Sequence, residues 1–138
     1  MDFSALLENV NWVAVTLAWL ASMVWSFVWY SKSLAGVPWM KAVGVKEKDL
    51  QKAYMTSVMP VVVVLSFVSA FVLALLLQNV QGWVDGIVDG AVIGTGVAAS
   101  QVLVLYAFAL RPRNLMWIDG VWVIVNFALM GLVISFFV

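Results

Sequence analysis

Polarity along the chain alternates in blocks of about twenty residues, the length at which a helix crosses a bilayer. Four apolar stretches, at about 10–30, 57–77, 86–110 and 115–138, are separated by polar or turn-forming segments at 31–56, 78–85 and 111–114. As a helix rising 1.5 Å per residue, each stretch covers at least about 30 Å, the thickness of a hydrocarbon core. The Val61–Val64 run is rich in strand-forming residues, but an open strand in lipid leaves backbone groups unpaired, so a helix is expected there too. The predicted fold is all-α: a single-domain, polytopic membrane four-helix bundle with short hairpins and one longer loop containing helical pieces. In that loop, Gly36, Pro38 and Gly44 predict turns and a short interfacial helical piece at about 39–43. From Lys46 the composition favours a helix, with Leu50 and Tyr54 on one face, leading into the second span. Pro60 then falls in that span's first turn, where its missing N–H costs little.

Small residues recur four apart on these stretches. Ala14, Ala18, Ser22 and Ser26 mark the first span, Ser66, Ala70 and Ala74 the second, and Gly131 with Ser135 the fourth. The sharpest series is Gly86, Gly90, Gly94 and Ala98 on the third, where helix backbones are expected to come into direct contact. Trp12 and the Trp29–Tyr30 pair stand at the ends of the first span, where amphipathic rings prefer the headgroup level, and Trp19 and Trp25 lie deeper as packing residues.

Composition agrees with lipid as the solvent: 65% of residues are hydrophobic, only 10% are charged, and mean hydropathy is +1.08. A net charge of zero gives no general affinity for nucleic acid. The absence of Cys and His removes disulfides, thiolate chemistry and the commonest metal ligands, so no metal and no cofactor is expected. Asp2 and Glu8 precede the first apolar run, which is also long for a signal peptide, so that run is expected to be retained. Position gives the charges their meaning. Lys32, Lys41, Lys46, Lys48, Lys52, Arg111 and Arg113 all fall in connections on one side, while Asp2, Glu8, Asp85 and Asp89 fall on the other. The positive-inside rule then predicts a multi-pass protein of the cell (inner) membrane with cytoplasmic basic loops and both termini outside.

Trp29-Tyr30-Ser31 followed by Gly36, Pro38, Trp39, Met40 and Lys41 resembles a known family of small prokaryotic membrane proteins, domain-of-unknown-function family seventeen sixty-one. The opening Asn11-Trp12-Val13-Ala14-Val15, then Arg111-Pro112, Leu115, Trp117-Ile118-Asp119 and Met130-Gly131, extend the resemblance over nearly the whole chain. It implies four spans and gives no activity. The family pattern carries a His shortly after the Asp-Gly of the last helix, where this chain has Trp122 and Val123.

Polar groups inside spans are the natural functional candidates, because lipid makes them costly. Asp119 follows Arg111 and Arg113 closely, and an Arg–Asp clamp at the cytoplasmic hairpin is expected in preference to a proton- or cation-relaying carboxylate. Asp89, near the outer surface, is accounted for by the helix dipole. Gln101 and Asn126 each fall roughly 15–18 Å from the cytoplasmic hairpin, near the midplane. Both amides are expected to point into the bundle, bonded to each other or to Ser100, Ser66 or Ser22, as structural glue rather than a solute path. Trp83-Val84-Asp85-Gly86 echoes Trp117-Ile118-Asp119-Gly120. Shared helix-start chemistry explains this more simply than an inverted repeat. Gly94-Thr95-Gly96-Val97-Ala98-Ala99 formally fits a dinucleotide fingerprint, but it lies inside an apolar span with no strand before it.

No nucleophile–base pair or phosphate loop can be assembled, so no enzyme is expected. The expected role is a non-catalytic membrane protein that self-associates, or an accessory subunit of a larger membrane complex, with lipid and other membrane chains as partners. The alternative is a small channel or transporter formed by an oligomer and using Gln101, Asn126 and Asp119. A third possibility, binding of the cytoplasmic leaflet through Lys32–Lys52, adds nothing that orientation does not already explain.

Overall fold

The computed structural model describes residues 3–138; the side chains of residues 3, 5, 6, 54 and 55 lie outside it, as do Asp2 and the expected pairing of Leu50 with Tyr54. All regular structure among the described residues is helical: α1 (Phe3–Glu8), α2 (Trp12–Trp29), α3 (Gly36–Val43), α4 (Glu47–Ala53), α5 (Met59–Leu76), α6 (Trp83–Ile93), α7 (Ser100–Phe108) and α8 (Arg113–Ser135). Two π-helical turns, Tyr54–Val58 and Gly94–Ala99, join α4 to α5 and α6 to α7 without a break. Four helical runs are long and apolar enough to cross a membrane: Trp12–Trp29, Thr56–Leu76, Trp83–Phe108 and Arg113–Ser135. They mark a membrane protein and form the four spans of the bundle.

Local chemistry sets the ends of these spans. Asn11 caps the first: its side-chain oxygen accepts from the Val13 and Ala14 amides at 3.0 and 3.2 Å, satisfying N–H groups that lipid could not. Its Nδ2 also donates to the Phe137 carbonyl at 3.1 Å, fastening the start of the first span to the end of the last. The loop is more helical than expected. Gly36 and Pro38 sit within the first turn of α3 instead of breaking the chain, since a proline in a first turn loses no hydrogen bond. A Cβ at Gly36 would lie 2.7 Å from the Ser31 carbonyl oxygen, so only glycine lets the chain fold back there. Farther on, the helix runs straight through Pro60, which lacks the N–H that would bond one turn back. The wide π turn ending at Val58 absorbs that irregularity just before it.

The fourth span is the central one. Of its most apolar window 44% is buried, against 22% for the first and second spans and 11% for the third. The third span packs on one side of it and the first on the other, while the second lies against the first and reaches the end of the fourth. Val15, Ala18, Ala70, Leu73, Ala74, Leu77, Met130 and Ile134 form the shared core of spans one, two and four. Between spans three and four the contact is backbone on backbone. A Cβ on Gly86 would stand 2.6 Å from the Gly131 carbonyl oxygen, and one on Gly90 would press into the Phe127 carbonyl. Ala14, Ala18 and Ser22 are almost fully buried, whereas Ser26 is half-buried and donates back to the Ser22 carbonyl.

Gly90→Ala should therefore destabilise the protein by about 1–3 kcal/mol through overpacking. Gly96→Ala, where an added Cβ meets nothing within 4 Å, should be neutral or stabilising by up to about 1 kcal/mol. Thermal unfolding of both variants in mild detergent checks this contrast.

Candidate functional site: a buried carboxylate and its aromatic cage

The buried face of α8 runs through Leu115, Asp119, Val123, Asn126, Met130 and Ile134. Asp119 is 5% exposed, so its carboxylate must be satisfied inside the protein. Two phenols do this, one for each oxygen. The Tyr30 hydroxyl, at the end of the first span, donates to Oδ1 at 2.6 Å, and the Tyr106 hydroxyl, near the end of the third, donates to Oδ2 at 2.7 Å. Hydrogen bonds to a charged group contribute about 1.5–3 kcal/mol each, so this one side chain ties three spans together. Two indoles reinforce the joint: Trp25 Nε1 donates to the Trp122 carbonyl at 3.3 Å and Trp29 Nε1 to the Ile118 carbonyl at 3.2 Å. The Tyr30 ring lies between Trp39, edge-on at 5.6 Å, and Trp122 at 5.8 Å.

The motif of Trp29, Tyr30, Gly36, Pro38 and Trp39 thus acquires a physical reading. Trp29 and Tyr30 bind the start of the fourth span, Gly36 allows the tight return, and Pro38 lies in the first turn of the helix that sets Trp39 against Tyr30. The motif houses Asp119.

Three expectations are corrected here. Arg111 and Arg113 are exposed and form no ion pair with Asp119; the ion pair among the described residues is Lys32 with Glu47. A guanidinium left in water avoids the desolvation that a buried clamp would cost, and the tyrosines supply the donors instead. Gln101 is exposed on the bundle's outer surface, not turned inward. The π turn explains this: it inserts one extra residue and shifts the helix phase by about 100°. The buried positions step by four from Gly86 to Gly90 to Gly94 and then by five to Ala99, leaving Ala98 half-buried. That shift brings Leu103 against Gly120 and Tyr106 to Asp119, and carries Gln101 outward. The third correction concerns Asn126. It is buried, but its Oδ1 accepts no hydrogen bond, and neither Gln101 nor Ser100, Ser66 or Ser22 reaches it. One turn before it, the buried Nε1 of Trp122 has no acceptor either.

The two Trp-x-Asp-Gly sequences part company in three dimensions. Asp85 is exposed in the first turn of α6, while Asp119 is buried and doubly bonded. Asp89 is also exposed. Among the described residues no three His, Cys, Asp or Glu side chains gather where a metal could be held. The residues that sequence reasoning passed over are Tyr30 and Tyr106 as donors to Asp119. The only advance sign was a tyrosine near the same end of two spans as a lone in-span acid.

Tyr30→Phe and Tyr106→Phe should each cost about 1–3 kcal/mol, by leaving a buried carboxylate oxygen without its donor. In the background of Asp119→Leu both losses should shrink sharply, a coupling that a double-mutant cycle on unfolding in detergent measures.

A model of the family described as Protein of unknown function (DUF1761) matches residues 13–135. No curated protein and no solved structure matches the chain. The match covers most of the sequence, including the cage around Asp119, and the chain belongs to the DUF1761 family.

Proposed function

We propose that this membrane protein is non-catalytic and works by associating, through the outer face of its third span, with a second copy of itself or with another subunit of a membrane complex. The observation that carries this reading is Gln101. It is an amide within the span, about 10 Å along the helix from the Phe108 end, exposed on the least buried of the four spans, and it bonds to no other described residue. An amide facing hydrocarbon is costly, and a bond to a neighbouring helix is the common remedy. Farther toward the start of the same span, Ile87, Val88, Ala91, Val92, Thr95 and Gly96 line a shallow groove of about 530 Å³. Gly96 has open space around it, which suits a close helix approach. Orientation follows the basic residues: Lys32–Lys52 and Arg111–Arg113 face the cytoplasm and both termini lie outside the inner membrane.

A channel or transporter formed by an oligomer is the rival. It would need Gln101 at the joint between chains and a route to Asn126 and Asp119, which are buried within one chain. The three do not line a common path, and this favours association without transport.

Because the chain has no cysteine, single substitutions report contacts cleanly. Thr95→Cys and Val92→Cys should form disulfide-linked dimers in native membranes, or a fixed adduct with one other chain, whereas Phe27→Cys on the first span should not. Gln101→Leu should weaken the association by about 0.6–2 kcal/mol, roughly threefold to thirtyfold. Monomers alone, with no adduct at either position, would refute the reading.

A further inference from the structure

Spans one and two pack tightly for half their length and then part. Trp12 stacks on Phe71 at 5.5 Å, Trp19 meets Phe67 edge-on at 5.9 Å, and Trp19 Nε1 donates to Ser66 Oγ at 3.1 Å. Continuing this antiparallel register would set Met23 against Val62 and Phe27 against Val58 and Met59. These residues instead line a cleft of about 920 Å³, floored by Trp122 of the fourth span. The π turn Tyr54–Val58 sits at its rim, where the second span departs from regular helix. The cleft's size lies at the upper end of the roughly 300–1,000 Å³ typical of small-ligand sites.

Its chemistry changes along its length. At span depth the walls are apolar apart from Ser26, whose hydroxyl already donates to the Ser22 carbonyl. At the end nearest the basic loop Tyr30, Lys32, Glu47 and Gln51 join Met40 and Leu50 in the lining, with Lys32 Nζ and Glu47 Oε1 2.6 Å apart and both side chains about half exposed or more. That sequence, hydrocarbon wall and then one cation beside one anion, is the profile of a zwitterionic lipid. Trp122 of the fourth span adds an aromatic surface to this lining.

We propose that this cleft holds one glycerophospholipid with a phosphoethanolamine head. An acyl chain lies between Met23 and Val62, the phosphate meets Lys32, and the primary ammonium meets Glu47. A purely anionic lipid would answer Lys32 but face Glu47 unfavourably. A choline head would offer no N–H to the carboxylate.

The full chain, extracted in mild detergent, is offered equal amounts of palmitoyl-oleoyl phosphatidylethanolamine, phosphatidylglycerol and phosphatidylcholine, and the complexes are weighed by native mass spectrometry. One ethanolamine lipid per chain should be retained, in preference to the others by about fivefold, the effect of one charge contact at a membrane surface. Lys32→Gln and Glu47→Gln should each abolish the preference. Val62→Trp and Met23→Trp fill the cleft from opposite walls, and whichever elutes as folded protein should retain no lipid. Three outcomes would overturn the proposal. These are unchanged retention in a folded cleft-filling variant, no retention by the native chain, and a preference for phosphatidylglycerol that Glu47→Gln leaves intact.

Discussion

Hydrocarbon gives two apolar helices no reason to leave lipid for each other, so a membrane bundle must be held by close backbone approach and by hydrogen bonds that lipid cannot supply. This chain uses both, and concentrates them on its last span. Along one half of α8, Gly131 and the Phe127 carbonyl receive Gly86 and Gly90 of the third span at distances that leave no room for a side chain. Along the other half, Asp119 takes one hydrogen bond from the first span and one from the third. The fourth span is the most buried of the four, and its inner face carries both Asp119 and Asn126, each 5% exposed.

The π turn at Gly94–Ala99 links these two halves. A regular helix that placed Gly86, Gly90 and Gly94 against the fourth span would drift out of phase before Tyr106. One added residue restores the contact, and its by-product is the outward placement of Gln101. A packing solution inside one chain therefore generates a polar mark on its outer surface, and the proposed association starts from that mark. The second π turn, at Tyr54–Val58, has a parallel consequence: near it the first two spans separate and leave the cleft.

Hydropathy made the four spans legible to within a few residues, since about twenty apolar residues in a row have few other uses. Small-residue spacing likewise pointed to the glycine face of the third span, where only backbone contact makes such a series useful. Helix phase was not legible. A single inserted residue leaves no trace in hydropathy, and extrapolating from Gly94 and Ala98 to Gln101 assumed a regular turn that the chain does not make. Asp119 was visible as an in-span acid, but its donors were not: Tyr30 lies 89 residues away and Tyr106 on another span. Nearness in sequence favoured Arg111 and Arg113, whereas burial selected neutral hydroxyls that enter a low-dielectric site at lower cost. Asn11 was noted as part of a motif, and its work as a helix cap became apparent only from the amides it faces.

The proposed topology has four membrane crossings with the basic ends of the spans on one side. Its most direct test uses single cysteines introduced by Lys46→Cys, Gln81→Cys and Arg113→Cys into a chain that has none, each at an exposed position, and labelled in sealed vesicles with a membrane-impermeant maleimide. Positions 46 and 113 should react from one face and position 81 only from the other. Labelling of position 81 from the same face as position 46 would contradict it.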